Sequence, residues 1–65
     1  MNIEWNWPGG GIIYEWGEQS IPREGEDVEF DGSDPHGPPQ GGYRVRKVVW
    51  FVGLRGVQHA RIVLR

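Results

Sequence analysis

Residues 43–52, Tyr-Arg-Val-Arg-Lys-Val-Val-Trp-Phe-Val, are the densest run of β-branched and aromatic side chains in the chain, and they read as a strand. Within the run the alternation slips. Tyr43 and Val45 share one face, and Val48, Trp50 and Val52 share one face, but the step from Val45 to Val48 is three. A strand has a side-chain period of two, so both sets reach the same side only if one residue is extra. The sequence therefore predicts a β-bulge or sharp bend at Arg46 and Lys47. A long bent strand of this kind can serve two sheets at once, which is how very small barrels close.

The remaining runs supply the other walls. Residues 2–7 alternate, with Ile3, Trp5 and Trp7 on one face and Asn2, Glu4 and Asn6 on the other. Pro8-Gly9-Gly10-Gly11 stops that strand, and Ile12, Tyr14 and Trp16 then alternate against Ile13 and Glu15. The two runs predict a hairpin around a four-residue Pro/Gly loop, its tryptophans stacked or edge to face. Residues 17–24 read as a polar loop with Ile21 as a plug beneath it, and Pro22 to Gly25 as a turn. Residues 26–31 form a short strand with Val28 and Phe30 inward and acidic residues outward.

Residues 31–42 have no apolar side chain apart from prolines. A connection of this length is either functional or a surface insertion between two strands, and both readings stay open. Gly53-Leu54-Arg55-Gly56 suits a tight turn, after which residues 57–65 alternate with Ala60, Ile62 and Leu64 toward the core. The fold class that follows is all-β: a single domain over residues 1–65, a small, partly open, five-stranded antiparallel barrel. Its predicted core is Ile3, Trp5, Trp7, Ile12, Tyr14, Trp16, Val28, Phe30, Tyr43, Val45, Val48, Trp50, Val52, Ala60, Ile62 and Leu64.

A chain of 65 residues buries only ~60% of its unfolded surface, so it needs tight aromatic packing or a partner chain. There is no cysteine, which fits a reducing compartment. Residues 1–4 lack the basic start and apolar run of a signal peptide, and no stretch approaches the ~20 apolar residues of a membrane span. A cytoplasmic location is expected. The net charge of −2 conceals a division: residues 1–42 carry all nine acidic residues and one cation, Arg23, whereas residues 43–65 carry six cations and no acid. Either the basic half meets an acidic partner, or acidic and basic strands neutralise each other across the sheet.

The run Pro22-x-x-Gly25-Glu26-Asp27-Val28-x-Phe30, a loop, then Tyr43-x-Val45-x-x-Val48-x-Trp50 and a closing strand resembles the layout of Src-homology-3-like small barrels of bacteria and their phages. The resemblance covers residues 22–65 and implies a fold. By analogy it also implies an accessory protein of a phage or mobile element, acting in the host cytoplasm. It carries over no binding site.

The inventory for catalysis is thin: no Gly-x-Ser-x-Gly, no phosphate loop and no cysteine nucleophile, so an enzyme is not expected. His36 and His59 stand without the clustered ligands a metal needs, so neither metal nor cofactor is expected. Two binding hypotheses remain. Arg44, Arg46, Lys47, Arg55, Arg61 and Arg65, interleaved with Tyr43, Trp50 and Phe51, suit a single-stranded nucleic acid. The favoured reading is a protein partner or a second copy, because Phe51, Ile13, Val57 and Val63 fall opposite the core sets. The contact surface is predicted to join the loop 34–40, with His36, to Phe51, Arg44, Arg46 and Arg55.

Overall fold

The computed structural model describes residues 1–17 and 21–65; the polar loop predicted over 17–24 thus lies partly outside the described residues. Five strands form: β1 (Asn2–Trp7), β2 (Gly10–Glu15), β3 (Asp27–Phe30), β4 (Gly41–Gly53) and β5 (Gly56–Leu64). They lie side by side in the order β2-β1-β5-β4-β3, and the sheet curls into an open half-barrel. No helix among the described residues is long and apolar enough to cross a membrane.

The small open barrel is as the sequence implies, but the pairing is mixed, which corrects the expectation of a purely antiparallel sheet. Neighbours within the hairpins run antiparallel, whereas β1 and β5 run parallel, with Ile3 beside Ala60 and Trp5 beside Ile62. Side chains alternate in the same way in both kinds of ladder, so the pattern identifies the faces and leaves direction open.

The bulge falls where the phase slip puts it. Val45 lies opposite Leu64 and Lys47 opposite Val63, which leaves Arg46 as the extra residue. Val45, Val48 and Trp50 consequently share a face with Leu64, Ile62 and Ala60. Just before the bulge, β4 binds a neighbour on each side. Arg44 exchanges two backbone hydrogen bonds of 3.0 Å with Arg65, and Val45 accepts from Gly25 and donates to Glu26 at 2.8 and 2.9 Å.

Ile3, Trp5, Val45, Ala60, Ile62 and Leu64 form the buried core. Trp7, Ile12, Tyr14, Trp16, Val28, Phe30, Tyr43 and Val48 pack against it, joined by Met1 and by the plug Ile21. A line of rings crosses the interior from β2 to β4. Tyr14 meets Trp16 at 6.3 Å, Trp16 meets Trp5 edge to face at 5.5 Å, Trp5 meets Phe30 at 5.2 Å, and Phe30 meets Tyr43 at 5.8 Å. Trp7 stays out of this line and lies over Gly10, where a β-carbon would strike its indole. Gly10 and Gly11 therefore belong to β2, and the first hairpin turns on Pro8 and Gly9 alone, two residues instead of the predicted four.

Two assignments to the core are corrected. Trp50 is 48% and Val52 68% exposed. Both face inward, but β1 pairs with β5 only as far as His59, so among the described residues no strand of the sheet stands beneath this end of β4.

The loop between β3 and β4 is built into the fold. The Tyr14 hydroxyl donates to Asp34 Oδ2 at 2.6 Å, the Tyr43 hydroxyl donates to the Pro39 carbonyl at 2.9 Å, and Pro38 is buried. Gly37 packs against the Tyr14 hydroxyl with no room for a β-carbon. The loop straps β2 to the β3–β4 pair across the barrel's open side. The bond to Asp34, together with partial burial, pushes the Tyr14 hydroxyl up to about 12 and holds the Asp34 carboxyl below the usual range. A raised phenol adds stability that is complete below its ordinary value of 10.0 and is lost as pH rises through about 12. A lowered carboxyl adds stability that is lost as pH falls through its folded value. Tyr14→Phe should remove the first contribution and the largest part of the second, the His36 and Gly37 N–H groups still holding Asp34, so its thermal midpoint should vary less with pH than the parent's at either extreme. Matching pH profiles would show that the strap bond adds nothing.

Candidate protein-binding surface

Beyond Val48 the β4–β5 hairpin projects from the half-barrel. β3 pairs with β4 only between Gly41 and Arg44, and β1 pairs with β5 only between His59 and Val63. Among the described residues, the end of β4 and the start of β5 thus have only each other as strand neighbours. A second irregularity, between Phe51 and Val52, leaves Gln58 as an extra residue and gives the arm its own twist. The arm carries Trp50, Phe51, Val52, Leu54 and Val57, all exposed, with Leu54 fully so at the turn. This is a contiguous set of large apolar side chains around one hairpin, whereas single exposed apolar residues elsewhere are ordinary.

The outer face of the arm runs into a cluster contributed by three strands. Phe51 lies opposite His59, and their rings meet edge to face at 4.9 Å. The Arg61 guanidinium sits over the Phe51 ring, 5.1 Å from its centre. Arg61 Nε also donates to Glu4 Oε2 at 2.9 Å, while His59 Nε2 lies 3.4 Å from Glu4 Oε1. The Asn6 amide donates to the same carboxylate at 2.6 Å. That bond, with Arg61 and His59, outweighs partial burial and holds the Glu4 carboxyl below its usual range. The alternation of β1 and β5 explains the grouping: Glu4 and Arg61 are register partners on the outward face of the parallel pair. A shallow recess lies over the cluster, lined by Glu4, Phe51, Val52, Gln58, His59 and Arg61.

The residues predicted as one contact surface are distributed over four places. Phe51 is in the outward cluster. Arg55, at the turn, leans to the other face of the arm, in a recess with Met1, Ile21, Trp50 and Val57. Arg44 faces Asp27 across the β3–β4 pair at 3.2 Å, and Arg46 is the exposed bulge residue. At ~3.3 Å per residue, Arg44 lies roughly 20 Å along β4 from Phe51. His36 is exposed in the strap, where its backbone N–H donates to Asp34 Oδ1 at 2.9 Å. The strap is anchored to Tyr14 on the inward side of the sheet, so His36 and Phe51 occupy opposite sides.

Sequence reasoning placed Glu4, His59 and Arg61 outside the core without joining them to Phe51. The signal available was that Arg61 and His59 alternate with Ala60 and Ile62, as Glu4 does with Ile3 and Trp5. Part of the division of charge along the chain is matched by pairs across strands, Glu4 with Arg61 and Asp27 with Arg44. Comparison with family models, curated proteins and solved structures finds no match for this chain.

Proposed function

We propose that this protein is a non-catalytic interaction module that uses its projecting β4–β5 arm to bind another protein. The observation that carries the reading is the group of five exposed apolar side chains on the arm, with Phe51 held in place by His59 and Arg61. Aromatic residues and arginine dominate binding energy because they bury area at small entropic cost. Phe51 is preorganised in this sense, with a ring on one side and a guanidinium on the other. Glu4 keeps Arg61 in place, so the stack is ready before a partner arrives. On this reading the chain suits an accessory or assembly factor, phage-borne or cellular, working in a reducing cytoplasm.

Single-stranded nucleic acid is the weaker reading. Two of the six cations in residues 43–65, Arg44 and Arg61, are already matched by Asp27 and Glu4. The exposed aromatic residues sit on the arm, which lacks a row of free cations to follow a phosphate backbone.

Affinity capture from an extract of the source cell, followed by mass spectrometry, separates these readings. The parent chain should retain a protein partner, and Phe51→Ala, alone and with Arg55→Ala, should lower its recovery by about tenfold, as loss of an aromatic hot spot does. The circular dichroism spectrum should not change. Undiminished recovery with Phe51→Ala, or capture of nucleic acid that salt removes, would refute the proposal.

A further inference from the structure

The free edge of β4 has a definite length and a definite end. Val48 donates its backbone N–H away from β5, to Glu24 Oε1 at 3.3 Å. Backbone groups alternate sides along a strand, so the N–H and C=O of Trp50 and Val52 point the same way. They have no partner among the described residues. The edge thus runs from Val48 to the turn at Gly53, closed at one end by Glu24 to Glu26 and open at the other. Proteins normally protect such an edge with lysine, proline or a covering element. Residues 48–53 contain no charge and no proline, and they are apolar on both faces of the strand.

We propose that this edge pairs antiparallel with the same edge of a second copy, centred on Trp50. The proposal rests on the reading of the arm as a contact surface and adds to it the backbone edge of β4, with Phe51 of one copy packing against Val49 of the other. The centring follows from fit. Trp50 meets its own counterpart, Val48 meets Val52, and Val49 meets Phe51. Apolar side chains then face each other on both sides of the new pair, and the outward-pointing groups of residues 50 and 52 are satisfied in register, with Glu24 releasing the Val48 N–H to the other copy's Val52 carbonyl.

The second copy's strand runs in the same direction as β3 and fills the gap in line with it. Its turn stops where residues 24–26 begin, because Gly53 of one copy lies level with Lys47 of the other. That stop brings Arg55, which forms no ion pair among the described residues, to Glu24 and Glu26 of the other copy. Two-fold symmetry makes the contact twice. A covering peptide of unrelated sequence would satisfy the backbone edge but would not supply this charge match.

A six-residue edge makes a small interface, so the dissociation constant should lie on the order of 10–100 µM. Sedimentation equilibrium from about 10 µM to 1 mM should follow the mass from 7.4 kDa to twice that value. Val52→Pro removes an N–H that has no partner among the described residues, and it should abolish the dimer while preserving the circular dichroism spectrum. Arg55→Glu and Glu24→Arg should each weaken dimerisation by about tenfold through two symmetric contacts, and the double variant should return to within about threefold of the parent.

A single 7.4 kDa species at the highest concentration would overturn the proposal. So would a dimer that Val52→Pro leaves intact, or a double variant as weak as its parents. If Val52→Pro does not fold, the charge exchange alone decides. A monomer that still loses its captured protein on Phe51→Ala would eliminate the edge pairing and leave the outward face of the arm as the contact surface.

Discussion

Deleting Arg46 should leave the chain without a cooperative unfolding transition, whereas Arg46→Ala should change stability by less than about 0.5 kcal/mol. The two variants remove the same side chain, which is exposed and makes no hydrogen bond or ion pair among the described residues. They differ in the count of backbone residues between Val45 and Val48. With Arg46 present, Val45 packs opposite Leu64, and Val48 opposite Ile62, on one face. Without it, a strand of period two turns one of these sets outward. Either Val45 leaves the core, where it is 1% exposed, or Val48 leaves it, along with the pairing of β4 with β5 beyond the bulge. A domain of this size has on the order of 3–5 kcal/mol to lose. Thermal melts followed by circular dichroism would decide, and a deletion variant melting cooperatively near the parent would refute the role given to the bulge.

Trp5 carries the second large effect. It is 1% exposed and is the middle ring of the line across the interior, edge to face with both Trp16 and Phe30. Truncation of a buried tryptophan costs about 3–5 kcal/mol, comparable with the whole stability of so small a domain. Trp5→Ala should therefore be unfolded at 25 °C. Trp5→Phe should behave quite differently. The Trp5 Nε1 group is buried with no hydrogen-bond acceptor among the described residues, and leaving a buried donor unmatched costs about 1–3 kcal/mol. Phenylalanine keeps a ring between Trp16 and Phe30 and removes that donor, so its loss of packing volume is largely offset. A net change within about 1 kcal/mol is expected. If Trp5→Phe unfolds the chain as alanine does, the unmatched indole nitrogen has no energetic weight.

The faces of this protein were legible in its sequence, and the extents of its walls were not. Alternation alone located all five strands and put the bulge at Arg46 and Lys47, and the register then singles out Arg46 as the extra residue. It also placed Trp50 and Val52 on the inward face correctly. It could not show that β1 stops pairing with β5 at His59, and so could not show that these two residues overhang the barrel. The direction of β1 against β5 was hidden for a related reason: a parallel neighbour and an antiparallel one demand the same period. The candidate site was half legible. Phe51 was identifiable as outward-facing, but its connection to Arg61, His59 and Glu4 depends on the register between strands far apart in sequence. The Pro/Gly-rich stretch 31–42 gave no sign that Pro38 would be buried or that Asp34 would find Tyr14. Its backbone turns are local, whereas its anchors come from another strand.

The parallel seam between β1 and β5 unites residues that are fifty-seven positions apart, as Ile3 and Ala60 are. The first hairpin, with its load of tryptophan, gains a neighbour only once the last strand exists. Until β5 is in place, the β1 edge that it pairs with has no strand neighbour among the described residues. Closure over so long a span is slow compared with a helical bundle of similar length.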